Sequence, residues 1–115
     1  MKYMLLIYQN EAAMQGASQK QMSEMMGAYG AYTKAMRESG AFVAGDPLRP
    51  SSTATTVRVA NGKSKVLNGP YAESKEQLGG YYVIDVADLD AALSWAARCP
   101  GAQSGALEVR PIMTF

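Results

Sequence analysis

Hydrophobic positions recur along this chain with two different periods, and the switches between them mark out the elements. From Lys2 to Tyr8 nearly every position is apolar. A strand with one wet face alternates, so this run predicts a central strand covered on both faces. Gln9 to Ala17 is polar and reads as a connection. Ser18 followed by Gln21 matches a capping box and predicts a helix start. Met22, Met25, Met26, Tyr29, Tyr32 and Met36 then follow at helical spacing, predicting one apolar stripe that serves as core, with Gly40 as the stop. Gly27 and Gly30 interrupt that helix at a cost of about 1 kcal/mol each relative to alanine. They mark either a close backbone approach or drift toward small residues.

Period two returns downstream. Phe42 to Leu48 predicts a short strand closed by Pro47 and Pro50. Ala54 to Ala60 alternates cleanly, Asn61-Gly62 predicts a type I′ hairpin turn, and Lys63 to Leu67 is the return strand. After the loop "NGPYAESKEQLGG", Gly80 to Val86 predicts a strand. Asp88 caps a second helix with Leu89, Ala92, Leu93 and Ala96 on one face. Pro100-Gly101 ends it, and Ala106 to Met113 predicts the last strand. The order is β-α-β, an inserted hairpin, then β-α-β, which is an α+β fold of the ferredoxin-like split βαβ plan. Two helices cover one face of such a sheet. The first strand and the Tyr81–Val86 strand are apolar on both faces, so a second copy packed sheet against sheet is expected, giving a homodimer. The hairpin is a candidate extension of that interface.

Composition narrows the function classes. A chain of 115 residues is one domain, 1–115, and 48% hydrophobic residues suffice for a packed core. Net charge is +1 with no basic cluster, so no nucleic-acid partner is expected. "YMLLIY" is too short to span a bilayer and lacks signal-peptide flanks, so no membrane partner and a cytoplasmic location are expected. The single cysteine, Cys99, agrees with a reducing compartment. It falls in the last turn of a helix, where the dipole opposes thiolate formation, and reads as packing. With no histidine, a Ser-His-Asp triad and a Cys-His pair are excluded. No CxxC, P-loop or GxGxxG occurs, so neither a metal nor a cofactor is expected. Acid–base work falls to carboxylates, lysine or tyrosine.

The candidates are few. Asp46 in "GDPLRP" is a turn former or a carboxylate aimed into a pocket. Tyr8 ends the first strand, and Tyr82 lies in the strand expected beside it. If Tyr8, Asp46 and Tyr82 converge, they make a polar pocket in which Asp46 and Tyr8 act as acid and base and Tyr82 binds ligand. Arg58 suits a carboxylate ligand because its fork reaches both oxygens, although a strand arginine also serves to discourage edge pairing. Glu73 and Lys75 either pair with one another and Glu76 in a solvated loop or fold over the mouth of a site.

The stretches "MKYMLLIY", "ATTVRVANGK" and "LNGPYAESKEQLGGYYVIDVADLDAALSWAARCP" resemble the YCII-related superfamily, in particular its DGPF branch, nearly end to end. The name-giving Asp-Gly-Pro-Phe stands here as Asn68-Gly69-Pro70-Tyr71, and the Glu-x-Lys-Glu that follows is kept as Glu73-Ser74-Lys75-Glu76. The resemblance implies a ferredoxin-like fold and a dimeric α/β barrel. It implies no single activity. Distant relatives include lactone-converting and dehalogenating enzymes, and some members are encoded beside extracytoplasmic-function sigma factors. A His-Asp pair suggested for the wider group has no counterpart in a chain without histidine. Two readings stay open: a small-molecule-binding protein or enzyme, and a non-enzymatic accessory module acting through protein contacts.

Overall fold

A computed structural model describes residues 1–115. Strand β1 (Lys2–Gln9) leads through a short helix α1 (Glu11–Gln15) into the long helix α2 (Gln19–Glu38) and strand β2 (Phe42–Pro47). A 3-10 turn at Ser51–Thr53 precedes the hairpin strands β3 (Thr55–Ala60) and β4 (Lys63–Asn68). Strand β5 (Gln77–Asp85), helix α3 (Leu89–Arg98), a 3-10 turn at Pro100–Ala102 and strand β6 (Ala106–Pro111) complete the chain. The main sheet has the order β2-β5-β1-β6, with every neighbour antiparallel. With the hairpin set aside, this is the split βαβ arrangement the element order predicts.

Alternation assigns the faces. Tyr3, Leu5, Ile7 and Gln9 of β1 and Gly80, Tyr82 and Ile84 of β5 are buried beneath the helices. Met4, Leu6, Tyr8, Tyr81 and Val83 occupy the opposite face, half-buried and with no layer over them. The core gathers Leu5, Met36 and Ile84, each wholly inaccessible, around Tyr32, Ala92 and Ala96. The Tyr32 hydroxyl donates to the Trp95 carbonyl at 2.7 Å and so ties α2 to α3.

Several expectations need correction. The polar connection contains α1, because the Asn10 side chain accepts from the Ala13 amide at 3.1 Å and starts a helix there. The capping box at Ser18 forms in both directions, but the stripe behind it is core only in its second half. Tyr32 and Met36 are buried, whereas Met22 and Met26 are 42% and 72% exposed. The ten residues of α3 run beside only part of the twenty of α2, so the first turns of α2 have no helix to pack on. Leu89 and Leu93 are likewise exposed, and α3 docks through its small residues Ala92 and Ala96. Gly27 and Gly30 mark no close approach: a Cβ on either would meet nothing within 4 Å.

The hairpin forms its own two-stranded sheet, and its turn has Asn61 and Gly62 at φ of 51° and 75°, as a type I′ turn requires. Val57, Val59 and Val66 share one of its faces, all more than half exposed.

Candidate functional site

Two helices do not cover four strands, and the uncovered share of the helix-side face becomes a cavity. It lies between α2 and the β2-β5 side of the sheet, with a volume of about 680 Å³. Glycines make the room. Gly45, Gly79 and Gly80 are on the floor, and Gly30 is in the helical wall. Gly79 is the extra residue of a bulge where β1 and β5 change register between Ile7 and Tyr8. At Gly45 a Cβ would meet the Tyr82 ring at 2.6 Å, so the absent side chain is what lets that ring lie over β2.

Polar groups enter from three elements. Thr33 on α2 and Tyr82 on β5 share a hydrogen bond of 2.7 Å between their hydroxyls. The Gln9 amide donates to the Tyr29 hydroxyl at 3.4 Å. Arg37, one helical turn beyond Thr33, holds its guanidinium 4.0 Å above the Phe42 ring. Burial pushes the Tyr29 hydroxyl well above the ordinary tyrosine range and raises that of Tyr82, with the nearby Cys99 adding to both and the Thr33 hydrogen bond partly opposing it at Tyr82. At neutral pH both are therefore donors and not bases. Burial raises the Cys99 thiol too, which agrees with a packing role.

The mouth is tied down by Glu11. Its carboxylate accepts from the Ser51 amide and the Ser51 hydroxyl, both at 2.7 Å, while its own amide donates to the Gln77 side chain at 3.1 Å. These bonds fix α1, and with it Met14, against the cavity.

The structure separates the sequence-predicted residues. Tyr82 and Asp46 both line the cavity, but from opposite sides of the sheet. The Asp46 carboxylate turns to the open face and accepts from the Tyr81 hydroxyl at 2.8 Å, which raises the Tyr81 pKa. Tyr8 is on that open face too, but β5 lies between them, and Asp46 is level with Leu6, two residues or roughly 7 Å short of Tyr8 along β1. The expected convergence of Tyr8, Asp46 and Tyr82 does not occur. Arg58 is on the hairpin, 5.2 Å from the Tyr71 ring centroid and away from the cavity. Glu73 and Lys75 are exposed in the loop before β5 and outside the lining. The pairing expected of Glu73, Lys75 and Glu76 is absent, as the ion pairs are Met1 amine with Asp85, Lys34 with Glu38 and Arg110 with Glu108. Sequence reasoning missed Gln9, Thr33 and Arg37. The one available signal was spacing: residues 30, 33, 34 and 37 recur at helical intervals beside the methionine stripe. No three metal-ligating carboxylates or thiols come together, and no helix is long and apolar enough to cross a membrane.

Fold and cavity define a small α+β domain of ferredoxin-like plan with a ligand-sized cleft on the helix side of its sheet. The chain belongs to the YCII family: the YCII-related domain matches residues 1–115. An uncharacterised protein of Rhizobium meliloti (strain 1021) is 35% identical over 117 residues, covering 100% of this chain and 94% of that protein. Among solved structures, 5-chloro-2-hydroxyhydroquinone dehydrochlorinase from Burkholderia phenoliruptrix AC1100, in complex with 2,5-dihydroxybenzoquinone, has a similar fold. Its TM-score is 0.50 at 12% identity, over 98% of this chain and 94% of that one.

Proposed function

We propose that this protein binds one small, flat organic molecule in the cavity between α2 and the β2-β5 side of the sheet. The carrying observation is the cavity itself. Its volume of about 680 Å³ falls in the range of small-molecule sites, and a hydroxyl pair sits among apolar walls. A structural neighbour that holds a dihydroxybenzoquinone supports a ligand of that size. The finer reading is a catalyst of the lactone-isomerising or dehydrochlorinating kind, placed in the DGPF branch and working in the cytoplasm, with protonated Tyr29 and Tyr82 as proton donors. Asp46 and Tyr8, both on the open face of the sheet, take no part in this reading.

A thermal-shift series with monocyclic quinones, phenols and lactones tests the binding. Ligand that binds the folded state alone raises the melting temperature by mass action. A saturable rise, lost in Gly30→Phe, is expected. No rise with any compound, or a rise that Gly30→Phe leaves intact, rejects the cavity as the site.

The open sheet face belongs in the proposal as the contact with a second copy. Met4, Leu6, Tyr8, Tyr81 and Val83 make it apolar, and the Glu108–Arg110 pair at its edge offers both signs of charge to a two-fold-related copy. Such a pairing forms the dimeric α/β barrel. The second reading, an accessory module acting through protein contacts, has one observation in its favour: the exposed valine face of the hairpin.

A further inference from the structure

We infer that the ligand of this cavity is an anion, a small carboxylic acid with a flat apolar body, and that Arg37 reads its charge. The inference rests on the cavity being the binding site. Three charged residues line it: Lys34, Arg37 and Asp46. Two of them have partners elsewhere. Lys34 pairs with Glu38 along the helix at 3.8 Å, and Asp46 accepts from Tyr81 on the opposite face of the sheet. Arg37 forms no ion pair.

An aromatic ring nevertheless favours one placement for it. The guanidinium is 4.0 Å from the Phe42 ring centroid, and Phe42 is itself a wall of the cavity. The contact uses the charge over the ring, and no ion pair within the chain takes up the guanidinium's N–H donors. Those donors form the fork that matches two carboxylate oxygens. A lysine there would be a point charge without that fork, whereas the arginine offers a planar anion paired donors.

The second anchor sets the length of the ligand. Thr33 is four residues before Arg37 on the same face of α2, so the two side chains leave the helix about one turn, roughly 5–6 Å, apart. One six-membered ring bridges that span. The ligand this implies is a single ring with its charged group toward Arg37 and a hydroxyl or carbonyl toward Thr33–Tyr82, in a cavity that Ile7 and Met25 also line. The preference for an anion follows from placement, since the one carboxylate of the lining turns away and both cations stay at the rim.

The test compares 4-hydroxybenzoate with 4-hydroxybenzamide, which has the same shape and no charge, by isothermal titration calorimetry. The wild-type chain is expected to bind the acid about tenfold or more tightly than the amide, the ratio of a charge-assisted to a neutral hydrogen bond. Arg37→Gln should erase that ratio, and Arg37→Lys should restore part of it. Arg37 is exposed, so an unchanged melting temperature is expected to confirm that both variants fold. Equal binding of acid and amide, or an acid-to-amide ratio unchanged in Arg37→Gln, overturns the inference and leaves the cavity reading standing. Acid binding that survives Gly30→Phe places the ligand elsewhere and overturns both. Failure of both compounds to bind at millimolar concentration rejects the monocyclic acid as the ligand class.

Discussion

A single inserted residue decides which face of the sheet Asp46 occupies. In an unbroken strand Phe42, Ala44 and Asp46 would share a face, and Asp46 would point into the cavity with Phe42. The irregularity between Phe42 and Ala44 shifts the frame, so Gly45 pairs with Tyr82 on the helix side and Asp46 with Tyr81 on the other. No feature of "AFVAGDP" announces that bulge, which is why the carboxylate was legible as a candidate and its direction was not. Tyr82 was legible as a strand residue beside the first strand, but the glycine it rests on was not. Gly45→Ala would set a methyl 2.6 Å from the Tyr82 ring, and overpacking of this kind costs about 1–3 kcal/mol. Urea denaturation should show that loss; an unchanged midpoint would mean the ring shifts freely. The raised hydroxyls of Tyr29 and Tyr82 predict an alkaline limit. In the unfolded chain a tyrosine titrates near its ordinary value of 10.0, while in the fold it keeps its proton to higher pH. The unfolded state binds fewer protons above that point, so stability is fully present below it and falls as pH rises beyond it. Melting temperatures across pH 9 to 11 should decline, less steeply in Tyr29→Phe.

Whole elements were read more securely than directions. The capping box, the type I′ turn and the order of the strands follow from local chemistry, and the structure shows each of them. Two failures share one cause. The α2 stripe and the Leu89–Leu93 face are amphipathic on paper, but burial depends on whether a neighbour reaches them, which periodicity does not encode. Helix α1 escaped notice because it is only five residues long, and its position depends on long-range bonds from Glu11 to Ser51. Glu11→Ala removes both of those bonds, with an expected loss of about 1.5–3 kcal/mol for bonds to a charged acceptor. Because the same bonds hold Met14 at the cavity, the variant should also weaken ligand binding. Unfolding and titration on the same preparation separate the two effects.

At the scale of the molecule the shape is open. A chain of this length collapses to a radius of gyration of about 13 Å, yet this one has 16.0 Å and extents of 47 × 44 × 18 Å. The excess comes from the hairpin, which stands off the body with its valines exposed. A slab with an uncovered sheet face and a projecting arm is suited to pairing. Sedimentation is expected to give twice the 12.3 kDa chain mass. Replacing residues 55–68 with a short linker should raise the dimer dissociation constant. An unchanged constant would assign the hairpin to some other contact.

The glycine in the wall of α2 sets up an evolutionary tension. Nothing lies within 4 Å of a side chain begun at position 30, so Gly30→Ala should raise helix stability by about 0.5–1 kcal/mol without a clash. Random substitution at this position therefore runs toward a sturdier helix and a smaller chamber. A lineage that outgrew its ligand could close this chamber while gaining stability, and ligand size is adjustable at one codon with the rest of the fold untouched.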